Sequence, residues 1–525
     1  MGCPLSLTLP SPVIDDVVNT HIQNQLPIFV LDLKSLQLTH RGALTTLLND
    51  SIAKYKKDFI SKGTPEELRP STEKWIKEET AYAILSHRWL SDGELGFNDI
   101  SKFADHQAKF HKLIKFNSPT NGADILNEVI GPAMNKEDHT KDNPSQLHPN
   151  MKQLYKILFP ADRQETHFPS FVKLIIFFWI STRYLCRFVW FDTGCINKSS
   201  SAELEESIRS MFNWYSNSKV CIVQLADTID VDSLRGDQWF TRGWTLQELL
   251  APKRVKFFGK SWEPITTYSF DNDKDPDSDS KDHLWNHVSD ITGILSAHIS
   301  SFKPGIHHAR DALVWSSKRR TTRVEDVAYC LIGLLGIPLT IAYGEGEMAF
   351  YRLQVEILQR TPDMGVFIWQ GQSAIGNSML AARPDSFSSL ALRPLFSQTS
   401  DQTSTDPFPT DDEVDRSYSL TNFGLRIPLL VYRIPFGKWH VGDRNQEITL
   451  EVAELGRITM KLQIREDYDS VELAVLGKVD GQQSRQEKGL AILLGFKDRQ
   501  WKRISTEHVI LSHHIDTVLR TRFIR

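Results

Sequence analysis

The chain has 525 residues, more than one ordinary hydrophobic core, and its length predicts about three domains. With 40% hydrophobic residues, 24% charged residues and a net charge of -4, it has no broad attraction to nucleic acid. Its five cysteines form no CxxC pair, which argues against a disulfide framework and a zinc site and favours the reducing cytoplasm. The longest apolar run, near residues 174–180, is far shorter than the ~20 residues that cross a bilayer.

The first six residues, MGCPLS, fit the pattern for N-myristoylation of Gly2, and Cys3 is available for palmitoylation. Two lipid groups suffice for stable anchoring, so membrane association is expected if both residues are acylated. The alternative is a disordered start, because Pro4, Pro10 and Pro12 block regular structure. Residues 1–77 are predicted to form a leader packed on the main domain, with a strand near 28–31 and helical structure within 43–62.

An apolar strand at residues 82–85 is followed at once by Ser86, His87, Arg88 and Trp89. Because parallel sheets hold their sites at the carboxyl ends of their strands, these side chains are candidates for binding. Acidic residues in the next loop, among them Glu94, are predicted to be solvated. Residues 103–168 are polar and are predicted to be an insertion; their histidines lack metal-ligand spacing with a partner acid, so no metal site is predicted.

Three apolar runs, at residues 188–191, 220–225 and 255–258, alternate with two helical patterns, which predicts βα units around a buried parallel sheet. The first run leads into Asp192. The second helical pattern carries Trp244 and Glu248, which lie four residues apart and therefore on one helix face. If the strand at 82–85 joins this sheet, the polar residues from all these segments converge on one edge.

Three segments carry a family resemblance: YAILSHRWL (82–90), WFDTGCINK (190–198) and WFTRGWTLQELL (239–250). In this order they resemble the three blocks of the fungal heterokaryon-incompatibility (HET) domain. Residues 320–358 resemble the segment that commonly follows that domain. The resemblance implies a signalling or effector module of fungal non-self recognition and innate immunity. Such a module acts through self-association or a partner protein and leads to programmed cell death.

The HET domain is in turn distantly similar to the TIR domain, which implies an α/β, TIR-like (flavodoxin-like) core with a parallel sheet. In TIR enzymes a glutamate four residues after a tryptophan serves cleavage of the bond between nicotinamide and ribose. This resemblance implies that Glu248 is catalytic, with NAD as substrate and no required cofactor. The implied substrate-binding residues are Ser86, His87, Arg88, Trp89, Asp192 and Trp244.

Structural alternatives remain for several of these residues. Glu248 could pair with Arg242 or another base to fix its loop, and Asp192 could hold the turn that follows it through backbone amides. Cys195 could be a nucleophile with His87 as its base, but a cysteine after a buried strand is more often part of the core.

The remainder of the chain is predicted to be structural. The acidic run at 271–282 has Pro276 where a calcium loop needs glycine, so a solvated linker is expected. Residues 283–370 have helical patterns, and short alternating strands follow from about 371, which predicts a C-terminal all-β domain for scaffolding or recognition. The predicted domains are 1–77, 78–265 with the insertion 103–168, 266–370 and 371–525.

Overall fold

The computed structural model describes residues 11–62, 67–103, 155, 166–267, 269–273, 283–388, 417–441, 447–452, 456–462, 467–479, 488–506, 509–511 and 518–524. The predicted acylation sites, Gly2 and Cys3, and nearly all of the predicted insertion lie outside these residues. The chain divides into two compact units. The first contains Met1–Phe240 and Gln247–Phe302, and the second contains Thr241–Leu246 and Lys303–Arg525.

One seven-stranded sheet forms the centre of the first unit. Its strands are β1 (Phe29–Asp32), β2 (Gln37–His40), β3 (Tyr82–His87), β4 (Phe188–Trp190), β5 (Val220–Gln224), β6 (Arg254–Phe258) and β7 (Asn272–Asp273). Their order is β2-β1-β4-β3-β5-β6-β7. The four central strands are parallel, as predicted, but β1, β2 and β7 are antiparallel to their neighbours. The sheet is therefore mixed, because β1 and β2 form a hairpin, a connection that only antiparallel strands permit.

The central strands are buried on both faces. Every residue of β3, β4 and β5 is buried, which explains why their sequences are nearly continuous apolar runs instead of alternating patterns. Trp190 packs edge-on against Trp214 and Tyr215 beneath the sheet. The apolar core of the first unit is therefore centred on the strands that carry the polar residues of interest at their ends.

Helices cover this sheet. They are α1 (Ser11–Gln25), α2 (Arg41–Leu47), α3 (Asn49–Lys62), α4 (Leu68–Glu79), α5 (Phe97–Ile100), α6 (Phe168–Arg183), α7 (Asp192–Cys195), α8 (Ser201–Asn217), α9 (Thr245–Leu250, shared with the second unit), α10 (His283–Thr292) and α11 (Ser296–Ser301). Helix α6 is apolar on nearly all sides and packs against β3. Helix α8 begins at Ser200, whose hydroxyl accepts a hydrogen bond from the backbone N–H of Glu203.

The order in which successive strands are added to the sheet reverses at β3. It runs from β3 to β4 on one side and then crosses to β5 and β6 on the other. The four parallel strands therefore have the order 2-1-3-4, which is also the order at the start of flavodoxin-like sheets. Such a reversal leaves a crevice at the carboxyl ends of the two strands involved, here β3 and β5, and ligands of open α/β sheets bind at such places.

The segment before β3 is part of the sheet, because β1 pairs with β4. Arg187, just before β4, donates two hydrogen bonds of 3.1 and 3.0 Å to the buried carboxylate of Asp32 at the end of β1. Two parallel N–H···O bonds give this ion pair a fixed geometry. Residues 11–79 thus contribute strands to the same core instead of only covering it.

The solvated linker predicted at 271–282 is wrong at its first residues. Asp271 is buried, accepts hydrogen bonds from Lys256 Nζ at 3.0 Å and from the backbone of Phe257 at 2.7 Å, and leads into β7. Lys256 lies buried on β6, and a buried ammonium requires a nearby opposite charge. The acidic composition of the run concealed this structural carboxylate.

The second unit contains helices followed by strands, which confirms the predicted order of helical and all-β regions. Its helices are α12 (Ala309–Ser316), α13 (Asp326–Leu335) and α14 (Met348–Leu358). Its strands are β8 (Ser373–Ala374), β9 (Asn377–Ala381), β10 (Ser419–Thr421), β11 (Gly424–Ile434), β12 (Trp439–Val441), β13 (Glu447–Val452), β14 (Gly456–Lys461), β15 (Ser470–Val479), β16 (Lys488–Lys497), β17 (Gln500–Arg503), β18 (Val509–Leu511) and β19 (Val518–Ile524). Strand β19 pairs with both β17 and β11, so the larger sheet curls back on itself.

Candidate functional site

The carboxyl end of β3 holds a buried polar group of three side chains. The hydroxyl of Ser86 donates a hydrogen bond to Glu248 Oε2 and accepts one from the indole N–H of Trp239 at 2.7 Å. Ser86 and Trp239 are fully buried, and Glu248 is only 8% exposed. The structure thus brings Ser86 and Glu248 together, although 162 residues separate them in the sequence.

Tyr215 of α8 lies beside the same carboxylate. Its hydroxyl donates a 3.1 Å hydrogen bond to the backbone oxygen of Leu85. Burial raises the pKa of this phenol well above its usual value, and the neighbouring charge of Glu248 raises it further. The phenol is therefore neutral at all physiological pH values and lies against Glu248 as a fixed dipole.

His87, the last residue of β3, points into a second buried polar group. Its ring is 4% exposed, and neither ring nitrogen has a hydrogen-bond partner in the described part of the chain. Oε1 of Glu94 lies 3.6 Å from Nε2, too far for a hydrogen bond. Burial, followed by the positive charge of Lys173, lowers the pKa of His87, so the imidazole is neutral at neutral pH.

Glu94 is the centre of this second group. It accepts hydrogen bonds from Lys173 Nζ at 2.7 Å, from Ser170 Oγ at 3.0 Å and from the backbone N–H of Leu90 at 2.7 Å. Burial acts to raise its pKa, but His87, Lys173 and the Leu90 amide outweigh burial and hold the pKa well below its usual value. Glu94 is therefore an ionised carboxylate within the fold, and the prediction of a solvated loop residue was wrong.

The two residues that follow His87 in the chain, Arg88 and Trp89, each pair with an aspartate at the surface. Arg88 Nη1 is 2.7 Å from Asp227 Oδ2, in the loop after β5. The indole N–H of Trp89 donates a 2.7 Å hydrogen bond to Asp192 Oδ2, and Lys198 Nζ lies 4.0 Å from the centre of the Trp89 ring. Asp192 therefore orients an exposed indole, a role that its sequence position after β4 does not reveal.

Two sequence-based candidates have other surroundings. Trp244 belongs to the second unit, where its side chain hydrogen-bonds Asp326. Burial raises the pKa of the Asp326 carboxyl group, and the hydrogen bonds from Tyr343 and Trp244 partly offset this rise. Cys195 is buried, and burial raises the pKa of its thiol to about 12. A thiol that stays protonated at neutral pH is a poor nucleophile, so Cys195 is a core residue.

Several residues of the site were missed from the sequence. The sequence patterns singled out neither Trp239 and Tyr215 nor Lys173, which lies within an apolar helix, as site residues. A single ammonium in such a helix requires a buried partner, which was a usable signal for a carboxylate nearby. In the described part of the chain, no group of three or more His, Cys, Asp or Glu side chains could hold a metal ion. None of its helices is long and apolar enough to span a membrane.

The site connects all three sequence motifs. Trp89 of the first motif contacts Asp192 of the second, and Ser86 of the first contacts Trp239 and Glu248 of the third. Residues 139–238 match the family model for heterokaryon incompatibility protein (HET). This chain contains a HET domain. The matched residues include the second motif and end one residue before the third, while the first motif precedes them.

A curated relative supports the same assignment. The vegetative incompatibility protein HET-E-1 of Podospora anserina is 38% identical over 183 residues, which are 33% of this chain and 12% of the relative. The chain thus matches about one eighth of that protein's length. No solved structure matches the chain. The comparisons therefore support the HET-domain assignment.

Proposed function

We propose that this chain is a heterokaryon-incompatibility protein of a fungus, in which the HET domain is the signalling or effector module of non-self recognition and triggers cell death. The observation that carries this proposal is the contact of all three motifs at one sheet edge, in a chain 38% identical over 183 residues to a vegetative incompatibility protein. The relative's name supports an incompatibility role, and the activity of this whole chain is part of the proposal.

The exposed pairs at this edge are the proposed contact surface for a partner protein or a second copy. Trp89 is 39% exposed and is held by Asp192 on one side and Lys198 on the other, so a partner meets a rigid, amphipathic ring. Indole rings fixed in this way are common anchors of protein interfaces. Arg88, paired with Asp227, adds a charged rim beside it.

Inducible expression in a filamentous fungus tests this role, with uptake of a vital dye as the measure of cell death. We expect the full chain to kill cells and Trp89→Ala to reduce killing at an unchanged protein level. The matched control is Trp501→Ala, which removes a half-buried indole from the second unit. Killing by Trp89→Ala equal to that by the unmodified chain would remove this surface from the proposal.

A second candidate function is cleavage of NAD between nicotinamide and ribose on a TIR-like fold. Two observations favour it: the 2-1-3-4 order of the parallel strands, and a carboxylate, Glu248, at the carboxyl end of β3. A carboxylate placed against the ribose would stabilise the oxocarbenium-like transition state, as glycosidase carboxylates do. At 8% exposure Glu248 offers only a small accessible surface, so this function requires the edge to open around it.

The neighbouring residues would then have defined tasks. Arg88 would hold phosphate oxygens through its fork of donors, and Trp89 would stack on a base. Ser86 would fix the orientation of the carboxylate. NAD would be a substrate, and no resident cofactor is required. The purified protein, dilute and artificially clustered, should consume NAD, and Glu248→Gln should abolish turnover while preserving the fold.

Cell killing and NAD consumption measured on the same variants separate the two candidates. If Glu248→Gln kills cells as the unmodified chain does and neither protein consumes NAD, the enzyme candidate is excluded and the interaction module remains. Residues 1–10 bear on location: we propose a cytoplasmic protein that associates with membranes if Gly2 and Cys3 are acylated, which intact-mass measurement of protein from fungal cells would reveal.

A further inference from the structure

A cleft of about 290 Å³ opens at the amino-terminal end of β3, the opposite end of the strand from Ser86. Helices α1 and α4, the first residues of β3 and the last residue of α8 form its walls. The polar lining residues include His21, Gln25, Arg69, Lys77, Thr80 and Asn217. Leu26, Ala81 and Tyr82 give it an apolar floor. None of these residues belongs to the site described above, so the cleft is a separate feature of the first unit.

Hydrogen bonds between its walls hold the cleft in shape. Asn217 Nδ2, at the end of α8, donates a 2.8 Å bond to Gln25 Oε1 at the end of α1. His21 Nε2 lies 2.9 Å from Thr80 Oγ1, which joins α1 to the residue that follows α4. Preformed walls lower the ordering cost of binding, so a small ligand can be held with few contacts.

Two basic side chains line the cleft. Arg69 and Lys77 line it against one carboxylate, Glu73, and Arg69 also pairs with the exposed Asp16 at 2.9 Å. Partial burial and then the nearby charge of Lys253 lower the pKa of Lys77. Lys77 lies in the last turn of α4, where a cation also stabilises the end of the helix. Stabilisation of the helix end does not explain why a second cation, Lys253, lies nearby.

His21 contributes a neutral ring to this environment. Burial, followed by the charge of Lys77, lowers its pKa from 6.5 to about 4, so the imidazole is uncharged at neutral pH. The volume of the cleft, about 290 Å³, suits a small metabolite. The charge and the size together define the chemistry of its ligand.

We propose that this cleft binds a small organic anion, with its carboxylate or phosphate group between Lys77 and Arg69 and its body facing His21, Gln25 and Asn217. The anion supplies a further negative charge beside Lys77, since Arg69 is already paired with Asp16. This site is independent of the HET-motif edge and of any NAD cleavage there, because the two lie at opposite ends of β3.

Titration calorimetry on the full-length chain at low salt tests the proposal, with inorganic phosphate and succinate as separate probes. We expect saturable binding of at least one probe, and about ten-fold weaker binding by Lys77→Gln, which corresponds to loss of about 1.4 kcal/mol. The matched control is Lys74→Gln, which makes the same charge change at an exposed position of α4 that does not line the cleft. The stronger probe distinguishes a carboxylate ligand from a phosphate ligand.

His21 provides a second readout at the cleft itself. An anion beside its ring favours the protonated form, so saturation with the bound probe should raise the pKa of His21 from about 4, as followed by NMR of the ring. Binding that is equal in the unmodified chain, Lys77→Gln and Lys74→Gln would overturn the proposal. So would the absence of binding by both probes, or a pKa of His21 that stays constant at saturation.

Discussion

Replacement of Ser86 by alanine should destabilise the carboxyl end of β3 more than the isosteric change Glu248→Gln. The alanine variant removes a partner from two buried groups at once, the indole N–H of Trp239 and the carboxylate of Glu248. Loss of a partner for a buried polar group costs about 1–3 kcal/mol. Both groups have further interactions, which places the total in the lower part of the summed range, at about 2–4 kcal/mol.

Glu248→Gln preserves the shape of the side chain and an oxygen that accepts the Ser86 hydroxyl. It weakens one charge-assisted hydrogen bond to a neutral one, with an expected cost of about 1 kcal/mol. The two variants therefore separate a structural role from a chemical one. If Glu248 is catalytic, Glu248→Gln loses NAD cleavage at nearly full stability; if it is structural, loss of function should follow loss of stability in both variants.

Hydrogen exchange is the suitable assay, because two compact units need not unfold together and a single free energy of unfolding is then poorly defined. We expect faster exchange of the β3 and α9 amides in Ser86→Ala, with unchanged exchange in β15 and β16 of the second unit as an internal control. Equal and negligible effects of the two substitutions, or a larger effect of Glu248→Gln, would refute the hydrogen-bond reasoning.

Acid should weaken the first unit, because the lowered pKa of His21 (about 4, against 6.5) leaves the folded state without a proton that the unfolded chain binds near pH 5. The first unit should therefore lose about 2 kcal/mol of stability as pH falls from about 7.5 to 5. Hydrogen exchange measured at both pH values should show that this loss disappears in His21→Gln and persists in the exposed control His440→Gln. Gly194→Ala should cost at least about 1–3 kcal/mol, because a Cβ atom there would overlap the ring of Phe191 and lie 2.7 Å from Cγ1 of Ile100, whereas nothing lies within 4 Å at Gly236. Comparison of the thermal midpoints of Gly194→Ala and Gly236→Ala checks this, and equal midpoints would contradict it.

The apolar runs were sufficient to predict the central strands, because strands buried on both faces have continuous apolar sequences. They could not predict the β1–β2 hairpin at the sheet edge. The first strand, β1, matches the strand predicted near 28–31, but β2 has only four residues, of which Thr39 alone is buried, and no strong pattern. The decisive feature is the ion pair between Asp32 and Arg187, a contact across 155 residues that local patterns do not encode.

The candidate site shows the same limit. Motif order placed Ser86, Asp192 and Glu248 near one edge, since parallel strands align their carboxyl ends. The partners of each side chain depended on tertiary contacts instead. Trp244 was grouped with Glu248 by helical spacing alone, yet its hydrogen bond is to Asp326, 82 residues away in the second unit. Spacing identifies a shared helix face but does not tell which residues that face meets.

The buried ring of His87 is the strongest structural indication that this edge of the sheet has a function. Its two buried ring nitrogens lack partners in the described residues, and an unsatisfied buried group costs about 1–3 kcal/mol. Glu94 keeps other partners without the ring, because Lys173, Ser170 and the Leu90 amide also bind it, although the ring helps to hold its pKa low. His87→Leu should therefore stabilise the first unit, by about 1 kcal/mol, while reducing the cell-death response, as expected where a site opposes stability.

Hydrogen exchange of β3 and dye uptake by expressing cells measure the two effects of His87→Leu. The conservative control is His87→Gln, which retains buried polar atoms and should not stabilise. If His87→Leu instead destabilises β3 by a similar amount, the imidazole must be satisfied in solution by ordered water or a ligand, and the assignment of an unsatisfied ring fails. If it stabilises β3 with undiminished killing, His87 is dispensable, and the function of this edge must lie with Trp89, Arg88 and the Ser86–Glu248 pair.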